Sequence, residues 1–238
     1  MSITKIISKI TAKRIVNDIK DIKKSQEELA KNGIYYEHDE EKLLKGYAMI
    51  VGPTDTPYNY GYYFFTFNFP DNYPFNPPRL TYESNDGETR FNPNLYVNGK
   101  VCISILNTWN GDQWTSCQSI RTILLTLITI LNNNPLENEP GFTKLHYDNN
   151  NYNLILSYKN LEYCIYEQLV NKKFKKEFEI FYSLIKTLYL TNKNEIMKLL
   201  YNLKEKYNNE EIIKTQIFSL KCTIDFSKLI TKFDNIKL

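Results

Sequence analysis

Glycine and proline are confined to the middle of this chain, and no other feature limits its possible folds as strongly. All 9 prolines lie between Pro53 and Pro140, and all 8 glycines between Gly33 and Gly141. Proline removes a backbone donor, and glycine loses the most conformational freedom on folding, so both oppose helix interiors. The two flanks carry neither residue and are rich in Lys, Glu, Leu and Ile. Breaker-free flanks around a turn-rich middle predict an α+β layout: helix, then sheet and loops, then helices.

With 238 residues, 42% of them hydrophobic and 14% aromatic, the chain can bury one full core and carry an appendage. A net charge of +3 gives no electrostatic footprint for nucleic acid or a membrane surface, so neither is expected as a partner. Cys102, Cys117, Cys164 and Cys222 are widely spaced with no C-x-x-C pair, unlike a zinc site or a disulfide framework. A reducing compartment is the expectation. The longest apolar run, Ile120 to Leu131, falls short of the roughly twenty residues a bilayer needs. Lys5, Lys9, Lys13 and Arg14 interrupt any signal-like apolar stretch, so a cytoplasmic or nuclear location is expected. The wealth of Asn, Ile, Lys and Tyr points to an AT-rich genome, a parasite or a large virus, the location in the viral case being the host cell.

Ile15, Ile19 and Ile22 form an apolar stripe at helical spacing, which predicts a first helix from about Ile3 to Ala30 with Thr11 as a candidate internal cap. Tyr47 to Val51, Tyr62 to Phe69 and Arg79 to Glu83 read as strands from their aromatic and β-branched content. Three prolines keep Tyr73 to Pro78 out of regular structure, and the Tyr73–Pro74 bond is a candidate for cis. A central helix is expected from about Cys117 to Asn132, capped by Thr115 or Ser116. Four more helices are expected: Tyr152 to Leu169, Phe174 to Leu190, Glu195 to Tyr207 and Asp225 to Leu238.

The stretch with a chemical reading is RFNPNLYVNGKVCISILNTWNGDQW, from Arg90 to Trp114. Cys102 sits among β-branched residues, where a thiol usually packs as a small hydrophobe. Ahead of it, Asn92 and Asn94 bracket Pro93, which stiffens the backbone so that the amides project. An amide held beside a thiol can hydrogen-bond the oxyanion formed when the sulfur carries an acyl group. The only histidines are His38 and His146, neither near Cys102, so a cysteine-protease dyad has no local signature. No phosphate-cradling glycine loop is present in the sequence.

This stretch resembles the active-site segment of ubiquitin-conjugating enzymes, in which a His-Pro-Asn tripeptide precedes the catalytic cysteine at this spacing. The likeness extends to GPTDTPYNYGYYFFTFNFPDNYPFNPPRL from Gly52 to Leu80, to Gln113-Trp114, and to Asn138-Glu139-Pro140-Gly141. It covers roughly residues 8 to 165. Asn-Pro-Asn in place of His-Pro-Asn, and the longer C-terminal part, resemble the Z-type branch of the family. The fold implied is an N-terminal helix, a four-stranded antiparallel meander sheet, an active-site loop, a central helix and an extended helical C-terminal region. The implied division is a conjugating core over 1–165 and a helical extension over 166–238, packed on or beside it.

The resemblance implies that Cys102 carries ubiquitin or a ubiquitin-like protein as a thioester and passes it to a substrate lysine or a ligase. Asn94 would stabilise the oxyanion or brace the loop. Glu139, or Glu137 two residues earlier, would help a substrate lysine lose its proton. Lys13 and Arg14 would dock the ubiquitin-activating enzyme, and Phe75 the ubiquitin ligase. Ser116 and Cys117 stand where relatives have a Ser-Pro-Ala-like ligase contact, and the missing proline puts that contact in doubt. No cofactor is implied, since ATP is consumed upstream by the activating enzyme. A catalytically silent variant of the same fold, binding ubiquitin or partners only, and a cysteine hydrolase are the competing readings.

Overall fold

The structure is a computed structural model and describes residues 7–238. Helix α1 (Lys9–Lys24) is capped by Ser8, whose Oγ accepts the Thr11 amide at 3.0 Å. The cap therefore falls three residues before the expected one, and Thr11 is buried with its hydroxyl donating to the Asp71 carbonyl at 2.7 Å. The expected start near Ile3 lies outside the described residues. Ser25 ends α1, and α2 (Gln26–Lys31) completes the first layer.

Strands β1 (Ile34–His38), β2 (Lys45–Val51), β3 (Tyr62–Asn68) and β4 (Arg79–Tyr82) pair in chain order, all antiparallel, as one four-stranded meander. The edge strand β1 is the member that residue patterns did not locate, because Gly33 and two charged residues blur its alternation. The register puts Ala48, Ile50, Tyr63, Phe65, Phe67 and Tyr82 on one face and Tyr47, Met49 and Phe64 on the other, and all of them are buried. A sheet buried on both faces needs cover on both sides. The Tyr73–Pro74 bond is cis.

Helix α3 (Ile120–Ile130) starts later than expected. Ser119, not Thr115 or Ser116, is the cap, and Ser119 and Thr122 form a reciprocal capping box. Beyond α3, α4 (Asn149–Lys159) runs into a π-helical stretch (Asn160–Glu167) and α5 (Gln168–Val170). The 165/166 position thus falls inside continuous helix. A 3-10 segment (Lys176–Phe181) lays Phe178 against the second sheet face, with ring centroids 4.7 Å from Phe64 and 5.6 Å from Tyr47. Helix α6 (Tyr182–Lys206) fuses two segments expected to be separate.

The region after α6 is not all helical, which corrects the expectation. β5 (Glu211–Lys214) and β6 (Lys221–Ile224) form an antiparallel hairpin before α7 (Phe226–Asp234). Each strand is only four residues long, with Ile213 the one buried residue of β5 and only β6 alternating cleanly, too short a pattern to register against the surrounding helical periodicity. One apolar core runs from Ile15 through the sheet to Phe233. Among the described residues, no helix is long and apolar enough to cross a membrane.

Candidate active site

The Asn-Pro-Asn loop is held by a buried polar knot centred on Asn92, which is fully buried. Its Nδ2 donates to the Tyr58 hydroxyl and to the Ile130 carbonyl, both at 2.8 Å. Its Oδ1 accepts the Asn94 amide at 2.9 Å and Asn138 Nδ2 at 3.3 Å. Asn138 also donates to Ile130 O at 2.9 Å, and Tyr58 to Phe91 O at 2.7 Å. The loop is thereby tied to the β2–β3 connection, to the end of α3 and to the segment that carries Glu139. Every polar atom of the Asn92 amide has a partner, as a buried polar network requires if it is to stabilise.

Asn94 and Cys102 are joined twice. The Cys102 amide donates to Asn94 O at 2.8 Å, and Asn94 Nδ2 donates to Cys102 O at 2.6 Å. The Asn94 side chain thus braces the backbone of Cys102, and its Oδ1 is buried without a partner. Between them the chain reverses through Asn98-Gly99. There φ is +85°, and a Cβ on Gly99 would stand 2.9 Å from Thr81 Cγ2, so the turn requires glycine.

Cys102 is 2% exposed, yet it stays out of the continuous apolar core that its neighbours Val101 and Ile103 join. The segment after it folds back: Thr108 Oγ1 donates to Val101 O at 2.9 Å and to Ile103 O at 3.0 Å, and accepts the Ile103 amide at 3.0 Å. That fold-back pins the backbone on both sides of Cys102. Alongside, Pro77–Thr81, Asn98–Val101, Leu106 and Thr108 line an open groove of about 470 Å³.

Burial raises the pKa of two other thiols. Complete burial pushes Cys164 well above the usual thiol range, and burial raises Cys222 to about 11. Cys117 is exposed on the turn before α3.

The other residues singled out by sequence are dispersed. Glu139 is half-buried on the loop tied to Asn92, and Glu137 is exposed, accepting the Lys144 amide at 3.2 Å. Phe75 is 65% exposed on the proline flap, and Ser116 is exposed. Lys13 points to solvent, but Arg14 is committed inside the molecule. Arg14 pairs with Asp18 at 2.8 Å, donates to Ser116 O and Gln118 O, and lies over the Tyr73 ring. It fastens α1 to the turn before α3. Residue patterns missed Tyr58, Arg90, Thr108 and Phe218, because each acts through contacts distant in sequence or through backbone carbonyls.

Residues 14–159 match the family model described as "Ubiquitin-conjugating enzyme". The chain belongs to the ubiquitin-conjugating enzyme family. It is 39% identical over 143 residues to ubiquitin-conjugating enzyme E2 Z of Xenopus tropicalis, covering 59% of this chain and 46% of that protein. The human E2 Z is 38% identical over 143 residues, covering 59% of this chain and 40% of that one. A probable ubiquitin-conjugating enzyme protein 17 of Caenorhabditis elegans is 35% identical over 197 residues, 78% of this chain and 26% of the relative. The chain spans less than half the length of these relatives. In the nematode case the likeness runs on past the span of the conjugating-enzyme family model.

Proposed function

We propose that this family member carries ubiquitin or a ubiquitin-like protein as a thioester on Cys102 and passes it to an amine or to a ligase thiol. The observation that supports this best is the double tie between Cys102 and Asn94, set on a loop whose own amide knot is complete. The first step exchanges one thioester for another, so the sulfur need only be delivered in the right geometry. In the second, a substrate lysine attacks the thioester carbon. The C–S bond breaks, the amide bond forms, and the lysine proton leaves to a base. Glu139 is assigned that base, because its loop is tied to the Asn92 knot and its carboxylate makes no described hydrogen bond. Asn94 acts as a positioning residue that holds the Cys102 backbone while charge builds at the carbonyl. Lys13 and Phe75 are assigned to the activating enzyme and to a ligase respectively, with Ser116 and Cys117 beside Phe75's flap. ATP is used upstream, and no cofactor is assigned to this chain. Cytoplasm or nucleus is the proposed location.

Incubation with an activating enzyme, ATP and ubiquitin, followed by a non-reducing gel, tests the reading. A thiol-sensitive adduct that disappears in Cys102→Ala is expected. No adduct with ubiquitin or any ubiquitin-like protein would turn the reading toward a silent binding variant.

A further inference from the structure

We infer that the C-terminal hairpin is a clip that holds the two walls beside the Asn92 knot, the Asn-Pro-Asn loop and the segment after Glu139, with Phe218 as its positioning residue. The inference rests on the reading of Cys102 as the thioester carrier.

The first wall is the Asn-Pro-Asn loop. Arg90 donates to the carbonyls of Asn92 at 3.2 Å and Pro93 at 2.5 Å, so its guanidinium sets the direction of both peptide units. That guanidinium lies between two rings, 3.3 Å from the Tyr96 centroid and 4.9 Å from the Phe218 centroid. Tyr96 belongs to the loop itself. Phe218 comes from the hairpin tip, more than a hundred residues further along the chain. A cation held between aromatic faces loses orientational freedom and gains attraction from both.

The second wall is the segment after Glu139. Asp148 is buried, and its Oδ2 accepts the Gln216 and Ile217 amides, each at 2.8 Å. The Tyr147 hydroxyl donates to Gln216 Oε1 at 2.7 Å, and Asn151 Nδ2 to Lys214 O at 3.0 Å. Tyr152, whose ring stands 5.8 Å from Phe218, closes the circuit by donating to Arg90 O at 2.7 Å. The tip thus grips one wall through Phe218 and the other through Gln216 and Ile217.

The tip's backbone fits this role. Phe218 and Ser219 both have positive φ, +56° and +51°, a conformation disfavoured for residues with a side chain. Such strain persists where surrounding contacts over-determine it, and it collects at working sites. A glycine would satisfy this backbone, but it would have no ring to set against Arg90.

Phe218→Gly is therefore the decisive variant, since it removes the ring and eases the turn. Phe218→Tyr keeps the ring. Phe218→Leu keeps apolar bulk without the aromatic face and covers the case in which glycine loosens the hairpin. Ile212→Ala, at an exposed strand position, is the control. In the full chain, single-turnover discharge of loaded ubiquitin to lysine should fall about tenfold in Phe218→Gly and Phe218→Leu, as expected for sub-ångström misplacement of a reacting group. Phe218→Tyr and Ile212→Ala should match the parent. Amide hydrogen exchange at Asn94 and Cys102 should quicken in the same two slow variants while β2 and β3 stay protected. Parent-like discharge, or slow discharge with unchanged exchange at Asn94 and Cys102, would overturn the clip. Were the parent chain itself never to load, the Cys102 assignment would fall, and the exchange data alone would decide the clip.

Discussion

Two asparagines one residue apart should differ sharply in what they contribute to stability, and the difference can be worked from their bonds. Asn92→Ala deletes four hydrogen bonds in a site with no solvent access. The Ile130 carbonyl keeps Asn138, and the Tyr58 hydroxyl keeps Phe91 O, so neither is abandoned. The Asn94 amide loses its only partner. An orphaned buried donor costs about 1–3 kcal/mol, and each ordinary lost bond about 1 kcal/mol net, which gives about 4 kcal/mol in all. Asn94→Ala loses one bond, to Cys102 O, and at the same time removes the buried, unpartnered Oδ1. The two changes offset each other, leaving a loss of about 1 kcal/mol or less.

Urea unfolding of both variants measures this directly. With a denaturant slope near 3 kcal/mol/M, Asn92→Ala should lower the midpoint by about 1.3 M and Asn94→Ala by about 0.3 M. Discharge of ubiquitin to lysine should show the reverse sensitivity per unit of stability lost, with Asn94→Ala slow although well folded. Equal midpoint shifts, or a shift for Asn92→Ala below about 0.4 M, would refute the reasoning that the knot and not the brace holds the loop.

Alkylation at neutral pH followed by peptide mass mapping should modify Cys117 first and leave Cys164 and Cys222 last. Thr108→Val, which deletes the three bonds that fold the segment back on Cys102, should speed modification of Cys102. Cys222 keeps its proton when folded up to about 11 against an ordinary 9.0, so the folded form binds more protons in that window. Stability should therefore fall as pH rises from 9 to 11, and the slope should shrink in Cys222→Ala. Lys13→Glu should slow thioester formation without changing the melting temperature, whereas Arg14→Ala should cost about 1–3 kcal/mol by stranding two carbonyls and part of Asp18. Phe178→Ala, at the seam between sheet and extension, should cost about 3–5 kcal/mol in urea unfolding.

What could be read from residues alone was whatever acts locally. The stripe of Ile15, Ile19 and Ile22, the aromatic strands and the Asn-Pro-Asn approach to Cys102 each announce themselves within a few positions. Cap positions slipped by three or four residues, because Ser8 and Ser119 compete with other hydroxyls nearby and only tertiary contacts choose among them. Arg14 read as a docking charge because nothing in its own helix shows that Ser116 and Gln118 present carbonyls to it. The hairpin escaped notice for the same reason, since its strands pack on α4. Asn92 was recognisable as a variant position, but its four partners come from four separate parts of the chain.

The distribution of these ties says which side of the cleft can move. The Asn-Pro-Asn side is fastened by Tyr58, by the end of α3, by Tyr152 and by the hairpin tip, all through buried or half-buried groups. The other side, 107–113, is exposed throughout and fastened chiefly by Thr108, with Asn107 and Gln113 bonding within the loop's own ends. Local opening is easiest where few apolar contacts and many exposed backbone bonds coincide. On the proposed function, Cys102, which is 2% exposed, must be uncovered before its sulfur can meet a thioester carried by another protein, and the segment after it is the side that can yield. On that reading the rigid side keeps the Cys102 backbone in register while the loose side admits the partner. The C-terminal extension belongs to the rigid side, which gives the chain a physical reason to carry residues beyond the span of the conjugating-enzyme family model.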